Sequence, residues 1–148
     1  MARIDGYDFP DELWYHPREH LWLRPEREGE RWIVTVGVDA VGQDALGEVV
    51  YVQVTEAGRS VARGEAVGSL EAEKMVRPIL APLSGTLREV NSALMAAPRI
   101  LNRDPYGQGW MFRMQARDWQ GEQKDLLHGE ARVAAWIIAE LQAMKERR

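Results

Sequence analysis

Short strand-like runs of apolar and β-branched residues, separated by turn signals, are the feature that most limits what this chain can fold into. Val, Ile and Thr favour strands, whereas glycine and proline interrupt them. About eight such short runs, separated by regular turn signals, predict a mainly β sandwich or barrel. The predicted strands include residues 20–25, 31–38, 48–54, 85–91 and 111–114.

The run EVVYVQV, residues 48–54, alternates regularly enough to predict which side chains share a face. Successive side chains of a strand point to opposite sides of the sheet. We therefore expect Val50, Val52 and Val54 on one face of this strand, with the residues between them on the other face.

Other segments have the signals of helices. Asp39 can cap a short helix that runs to Leu46 and that Gly47 ends. Towards the end of the chain, one helix is predicted over residues 118–127 and a second one over residues 130–145.

The last predicted helix has an apolar stripe, which we expect to pack on the body of the domain. A helix that docks a partner is the alternative interpretation of the same stripe. The stripe consists of residues at helical spacing, namely Val133, Trp136, Ile137, Leu141 and Met144.

The length of 148 residues predicts a single domain with three parts. Residues 1–19 are predicted to form an irregular arm, residues 20–116 the β core, and residues 117–148 a helical extension. The arm has apolar and aromatic anchors at Tyr7, Phe9, Leu13, Trp14 and Tyr15.

Composition excludes several classes of function. The net charge is −4 and no basic stripe is present, which argues against a nucleic-acid partner. No apolar run approaches the length of a membrane span, and the first residues lack the apolar segment of a signal peptide. The chain has no cysteine, which excludes disulfides, thiolate metal ligands and a cysteine nucleophile. We therefore predict a cytoplasmic protein with no membrane partner.

No motif of a self-sufficient enzyme is present. The glycines form neither a phosphate-binding loop nor a dinucleotide fingerprint, and no Ser-His-Asp signature is found. The histidines, His16, His20 and His128, are dispersed and lack the spacing of metal ligands. We expect no catalytic residue and no metal site.

Residues 68–82, GSLEAEKMVRPILAP, indicate a β-hairpin with Lys74 at its tip. Most lysines at loop tips are merely solvated. Because the chain offers no other reactive arrangement, the alternative is a lysine that another enzyme acylates. Acylation would remove one positive charge and create a tether, which raises the effective concentration of an attached group at successive active sites.

Three residues beside Lys74 are weaker candidates for contact with a group attached there. Glu71 and Glu73 are two positions apart, so on a strand they would face the same side. They have no predicted cleft around them, and a solvated hairpin edge is their more ordinary role. Met75 follows the lysine directly.

Five blocks of the sequence form one pattern, and they are HLW at 20–22, TVGVDAVGQDALGEVVYVQV at 35–54, EAGRSVARGEAVGSLEAEK at 56–74, APLSGTLREVN at 81–91 and LNRDPYGQGWMFRM at 101–114. These blocks resemble the H-proteins of the glycine cleavage system, which are lipoyl carriers. The resemblance covers roughly residues 15–116, and its last two blocks are specific to H-like proteins among lipoyl and biotinyl domains.

The resemblance implies a fold, a cofactor and a set of partners. The fold would be a barrel-sandwich hybrid of two antiparallel sheets, with short helices and a C-terminal helix. Lipoic acid would be joined to Lys74 by an amide bond, and the chain would act as a carrier subunit rather than an enzyme. Its partners would be a lipoate-attaching enzyme and the enzymes that the lipoyl arm visits.

One departure from the family changes the expected cargo. H-proteins typically read His-Glu-Trp where this chain has His20-Leu21-Trp22, and that glutamate is associated with holding the aminomethylated arm. The Leu21 side chain offers neither a negative charge nor a hydrogen-bond acceptor for a cationic group. In this respect the chain is similar to H-like lipoate-binding proteins of sulfur-oxidising microbes, which are associated with heterodisulfide-reductase-like complexes. Sulfur carriage is therefore the first expectation, and an aminomethyl carrier for the glycine cleavage enzymes is the alternative.

Two further alternatives stay open at the level of sequence. Biotin-accepting domains usually have methionine on both sides of the lysine, whereas this chain has Met75 after Lys74 but Glu73 before it. A binding module that is never modified is the remaining hypothesis.

Overall fold

The computed structural model describes residues 1–147, and within them the chain forms eleven strands and five α-helices. The strands are β1 Ala2–Ile4, β2 Tyr7–Phe9, β3 Trp14–His16, β4 Leu21–Glu28, β5 Arg31–Val38, β6 Val49–Val54, β7 Ser60–Val61, β8 Ala66–Ala72, β9 Val76–Leu80, β10 Gly85–Val90 and β11 Phe112–Ala116. The helices are α1 Ala40–Leu46, α2 Ser92–Ala96, α3 Ile100–Arg103, α4 Trp119–Glu122 and α5 Glu130–Glu146.

Two antiparallel sheets form the body of the molecule, as predicted. A six-stranded sheet has the order β3-β4-β5-β11-β10-β7, and a three-stranded sheet has the order β6-β8-β9. Leu23 and Val36 of the first sheet share one apolar core with Val52, Leu70 and Ile79 of the second. We call this cluster the main core. The prediction of a mainly β fold with a C-terminal helix is confirmed.

The prediction of an irregular arm at residues 1–19 was wrong. Strands β1 and β2 form a separate hairpin, in which Ala2 is paired with Phe9. Its turn contains Asp5 and Gly6, both with positive φ, at 52° and 85°. An Asp-Gly pair is the typical sequence of such a tight turn, so the signal was present. The third strand of this segment, β3, adds to the edge of the six-stranded sheet beside β4.

The prediction that Val50, Val52 and Val54 share one face was wrong for Val50. The pairing of β6 with β8 shifts register between Val49 and Tyr51, so one extra residue lies between two paired ones. Such a bulge interrupts the alternation of side chains. Val50 is therefore 54 % exposed, while Val49, Val52 and Val54 are buried.

Helix α1 has the predicted capping residues. The carboxylate of Asp39 accepts a hydrogen bond of 2.8 Å from the backbone N–H of Gly42, and Gly47 ends the helix with a φ of 77°. In contrast, residues 118–127 do not form one helix. Helix α4 ends at Glu122, and a single 3₁₀ turn follows over Gln123–Asp125.

The segment between β10 and β11 contains two short helices, α2 and α3, that we did not predict. Asn91 caps α2 by accepting a hydrogen bond from the backbone N–H of Leu94. Both helices are only about one turn long, which is too short for an apolar period to be visible in the sequence.

The apolar stripe of α5 packs on the body of the protein, as expected. Val133 and Ile137 are buried, and the ring centroid of Trp136 lies 6.0 Å from that of Phe9 and 6.0 Å from that of Tyr15. The stripe completes a second cluster, here called the end core, which consists of Ala2, Phe9, Leu13, Tyr15, Trp22, Val41, Val133 and Ile137.

No helix among residues 1–147 is long and apolar enough to cross a membrane.

Candidate functional site

Lys74 lies at the tip of the β8–β9 hairpin, as the sequence predicted. The last strand pair joins Glu71 to Val76, and beyond it the backbone N–H of Ala72 donates to the carbonyl of Met75 at 2.9 Å. The turn is thus very short. The Lys74 side chain is exposed, and within residues 1–147 no hydrogen bond or ion pair engages its ammonium group.

The backbone of the tip is fixed although the side chain is exposed. The N–H of Glu73 donates to the carbonyl of Glu48 at 2.8 Å, and the N–H of Lys74 donates to the carbonyl of Leu46 at 3.2 Å. Leu46 is the last residue of α1, and Glu48 lies in the turn between α1 and β6. The tip therefore has a fixed position and does not depend on the short hairpin turn alone.

Gly47 allows this close contact between the tip and the α1–β6 turn. Its φ of 77° lies in the left-handed region that favours glycine. A side chain at this position would place its Cβ 3.3 Å from the Cβ of Glu73 and 3.4 Å from the Cγ of Lys74. The aliphatic stem of Lys74 thus passes directly over the glycine.

Asn102 also holds the α1–β6 turn, through three hydrogen bonds of its side chain. Its Oδ1 accepts from the backbone N–H of Val49 at 2.8 Å, and its Nδ2 donates to the carbonyl of Gly47 at 2.8 Å. The same Nδ2 group also donates to Oε1 of Gln43 at 3.1 Å. Asn102 therefore positions the α1–β6 turn, and this turn positions the backbone of Lys74. It lies in the LNRDPYGQGWMFRM block, but no local pattern singles it out.

The three flanking candidates are all exposed. Strand β8 ends at Ala72, so Glu73 belongs to the turn and the expectation that it shares a side with Glu71 does not apply. Glu71 is paired with Tyr51 of β6 on one side and with Val76 of β9 on the other. Met75 is 42 % exposed.

Leu21, the position at which the chain departs from the H-protein pattern, faces the interior. Its side chain is 1 % exposed and belongs to the main core. The residue is paired with His16 and with Val38 in the six-stranded sheet. Position 21 therefore presents nothing to a group attached at the hairpin tip.

The three histidines lie in separate environments. His20 is buried, with Nδ1 3.1 Å from a carboxylate oxygen of Asp39 and Nε2 3.5 Å from Glu140. Burial favours the neutral imidazole, but hydrogen bonding to Asp39 and Glu140 and their charges outweigh it and raise the pKa of His20. Burial lowers the pKa of His16. The Nδ1 of His128 lies 2.9 Å from the carbonyl of Leu13.

A family model described as "Glycine cleavage H-protein" matches residues 14–137 of the chain. The chain belongs to the glycine cleavage H-protein family. Members of this family are non-catalytic carriers in a multienzyme system and bear a lipoyl group on a lysine. The resemblance noted in the sequence is thereby confirmed.

Individual members of the family match most of the chain. A glycine cleavage system H protein of Thermus thermophilus is 44 % identical over 123 residues, which are 83 % of this chain and 91 % of that protein. The corresponding protein of Thermotoga maritima is 41 % identical over 116 residues, or 78 % of this chain and 90 % of that protein. The crystal structure of an H protein from Mycobacterium marinum superposes with a TM-score of 0.67 at 36 % identity and covers 74 % of this chain and 87 % of its own.

The geometry at the hairpin tip fits the lipoyl group of the H-protein family. An amide bond to a lysine requires a side chain that an attaching enzyme can reach, and the Lys74 side chain is exposed and unpaired within the described residues. The backbone bonds to Leu46 and Glu48 hold the tip of the hairpin in place, while the Lys74 side chain is exposed.

Proposed function

We propose that this chain bears its lipoyl group on Lys74 and carries an aminomethyl group between the enzymes of the glycine cleavage system. The observation that carries the proposal is the exposed lysine at a hairpin tip whose backbone is held by the α1–β6 turn. The relatives named above, all of which are glycine cleavage system H proteins, support this cargo. The cytoplasmic location stays a prediction.

The lipoyl group would supply a dithiol, which this cysteine-free chain lacks. The residues of the chain present the attachment point. The turn between α1 and β6 keeps the hairpin tip ordered, so that an attaching enzyme meets one defined surface around Lys74. Glu71, Glu73 and Met75 lie on that surface and would contact the attaching enzyme first. Biotin and the unmodified state are the competing outcomes.

Sulfur carriage for a heterodisulfide-reductase-like complex is the second candidate function, and one observation favours it. Leu21 is an apolar residue of the main core, so position 21 provides no carboxylate for a cationic cargo. A neutral or anionic sulfur cargo would not need one. The names of the relatives favour glycine cleavage, and we therefore rank sulfur carriage second.

The attachment is tested by the mass of the intact protein after expression in cells competent for lipoylation. We expect a single lipoyl increment on the wild-type chain and none on Lys74→Arg. The variant should still unfold cooperatively, with a free energy of unfolding within about 0.5 kcal/mol of the unmodified wild type, because Lys74 is exposed. A biotin increment, an unmodified wild type, or a lipoyl increment that persists in Lys74→Arg would each contradict the proposal.

The cargo is tested with the lipoylated protein, glycine decarboxylase, aminomethyltransferase and glycine. Glycine-dependent turnover comparable with that of an established H protein is the expected result and would exclude sulfur as the sole cargo. Lipoylated protein that is inactive in this assay, but accepts sulfur from a persulfide donor, would favour the second candidate. Lys74→Arg serves as the control in both assays.

A further inference from the structure

The imidazole of His20 has a carboxylate at each of its two ring nitrogens. Its Nδ1 lies 3.1 Å from an oxygen of Asp39, the residue that caps α1, and its Nε2 lies 3.5 Å from an oxygen of Glu140 in α5. A protonated imidazole presents an N–H to each carboxylate, whereas a neutral imidazole has one N–H and one nitrogen with a lone pair. Neutral His20 can therefore donate to only one of the two carboxylates.

The two carboxylates differ in burial, and this difference decides which contact survives. The Asp39 side chain is fully buried, whereas the Glu140 side chain is 30 % exposed. A buried acceptor that loses its donor costs more free energy than an acceptor that water can reach. When the ring loses a proton, we therefore expect Nδ1 to keep its hydrogen and Nε2 to lose it. The contact that is lost is the one with α5.

His20 itself is held on the body of the protein by its backbone. Its N–H donates to the carbonyl of His16 at 3.0 Å, and its carbonyl accepts from the N–H of Asp39 at 2.8 Å. Its φ of 55° lies in a region that few residues other than glycine adopt. A change of charge on the ring therefore acts on the attachment of α5 rather than on the position of His20.

The pairing of Glu140 with His20 is the only ion pair that joins α5 to another element within residues 1–147. The other cation near Glu140 is Arg147, which follows the helix directly and lies 3.9 Å away. The remaining attachment of α5 is apolar and passes through Val133 and Ile137 of the end core, which is a separate cluster from the main core. A segment of this kind can open locally while the rest of the fold stays closed.

We propose that His20 is a pH-dependent switch for the C-terminal half of α5. The protonated ring holds Asp39 and Glu140 together, whereas the neutral ring keeps Asp39 and releases Glu140, so that this half of the helix opens from the end core more often. Opening exposes apolar rings of the end core, because Phe9 and Tyr15 both contact Trp136 in the closed state. The inference goes beyond the proposed function and does not depend on the lipoyl group.

The groups around His20 agree with a switch near neutral pH. Burial opposes the charge on the ring, but the hydrogen bonds and charges of Asp39 and Glu140 outweigh it and raise the pKa of His20. The remaining titratable neighbour of Asp39 is Tyr106, whose hydroxyl accepts from the N–H of Ala40. Burial raises the pKa of Tyr106, so this phenol stays neutral.

The first test measures amide hydrogen exchange of the wild type, expressed as opening constants so that the intrinsic effect of pH is removed. As the pH rises from about 6.5 through the folded-state pKa of His20, we expect the opening constants of residues 138–144 to increase several-fold. The amides of β5 in the main core should keep smaller opening constants throughout. No increase in α5, or opening constants equal to those of β5, would overturn the inference.

Two variants of α5 separate the contact with His20 from a general effect of charge. The amide of Glu140→Gln can accept from the protonated ring and donate to the neutral ring, so the pH response of α5 should disappear. Glu146→Gln removes the same charge from an exposed position of the same helix and should keep the response. An unchanged response in Glu140→Gln, or its loss in Glu146→Gln, would contradict the switch.

The second test determines the tautomer of His20 in the wild type by ¹⁵N NMR at a pH above its folded-state pKa. We expect the hydrogen on Nδ1, facing Asp39, and none on Nε2. His16 is the internal control, because its Nδ1 accepts from the N–H of Glu19 at 3.2 Å and its hydrogen must therefore be on Nε2. A hydrogen on Nε2 of His20 would overturn the inference, and this measurement decides even if a variant of Glu140 fails to fold.

Discussion

The imidazole of His20 lies nearly parallel to the indole of Trp136, with ring centroids 5.1 Å apart and planes inclined by 26°. Trp136 belongs to α5, and the Nε2 of the same imidazole faces Glu140 one turn later. On its other edge, Nδ1 faces Asp39 at the start of α1. His20 therefore fastens α5 to the body of the protein through both of its ring nitrogens and its ring face.

This arrangement predicts a pH dependence of stability. The pKa of His20 is raised in the folded protein, since Asp39 and Glu140 more than offset the effect of burial. Protonated His20 therefore stabilises the fold fully below its unfolded-state pKa of about 6.5, and this stabilisation is lost as the pH rises through the folded-state pKa. As the pH rises from about 6.5 through the folded-state pKa of His20, we expect the free energy of unfolding of the wild type to fall relative to that of His20→Asn. Both free energies are measured by unfolding in urea.

The comparison with His20→Asn isolates the effect of His20. The φ of His20 is 55°, a conformation that asparagine tolerates well. His16, whose pKa is lowered by burial, changes stability in the opposite direction, but it is present in both proteins. Parallel pH profiles of the two proteins would refute the role of His20.

Gly47→Ala should disturb the hairpin tip as well as the fold. Its φ of 77° and ψ of −158° form a combination that is essentially restricted to glycine, and such backbone strain costs another residue about 1–3 kcal/mol of stability. Gly29→Ala is the control for a positive φ alone, because its φ is 65° and a Cβ there meets no atom within 4 Å. We expect both variants to lower the free energy of unfolding, Gly47→Ala by more, whereas only Gly47→Ala slows the transfer of lipoate to Lys74. Equal transfer rates would show that the contact with Lys74 has no influence on modification.

Asn102→Ala should likewise affect the attachment of lipoate. The substitution removes three hydrogen bonds around the α1–β6 turn and is expected to cost about 1–3 kcal/mol in the free energy of unfolding. Asn91→Ala also removes three hydrogen bonds, but at the start of α2 and the segment before β11. At a temperature at which both variants are folded, only Asn102→Ala should reduce the rate of lipoate transfer. A similar reduction in Asn91→Ala would indicate a general effect of stability.

Two neighbouring isoleucines of α5 test how much the end core contributes to stability. Ile137 is fully buried, whereas Ile138 is 60 % exposed. We expect Ile137→Ala to lower the free energy of unfolding by about 2–5 kcal/mol because it leaves a cavity. The change in Ile138→Ala should stay within about 0.5 kcal/mol. Similar values for the two variants in urea unfolding would contradict the packing of Ile137 in the end core.

The sequence predicted those parts of the fold that depend on neighbouring residues. The β8–β9 hairpin, the Asp39 cap and the helix after residue 130 each have a local pattern of turn residues, a capping side chain or an apolar period. The bulge at Val50 could not be predicted, because EVVYVQV alternates equally well with and without it. The register comes from pairing with β8, which is a separate segment of the chain.

Of the residues in the candidate site, only the exposed Lys74 could be predicted from the sequence. Lys74 stood out because the hairpin and the family resemblance converge on it. The residues that hold the hairpin tip are far apart in the sequence. Asn102, which belongs to α3, forms hydrogen bonds with Val49 and Gly47 in and beside the α1–β6 turn. The packing of β1 against α5 likewise joins residues that are distant in the sequence, and no local motif indicates it.

The end core joins residues near Ala2 with residues near Ile137, so it can close only after nearly all of the chain has been synthesised. The hairpin with Lys74 and most of the main core consist of earlier residues and can form first. On a ribosome, this order leaves a period in which the lysine is already presented while the surfaces of Trp22 and Val41 are still uncovered. Such a nascent chain would be open to an attaching enzyme, and also to chaperones that bind exposed apolar surface, before α5 completes the fold.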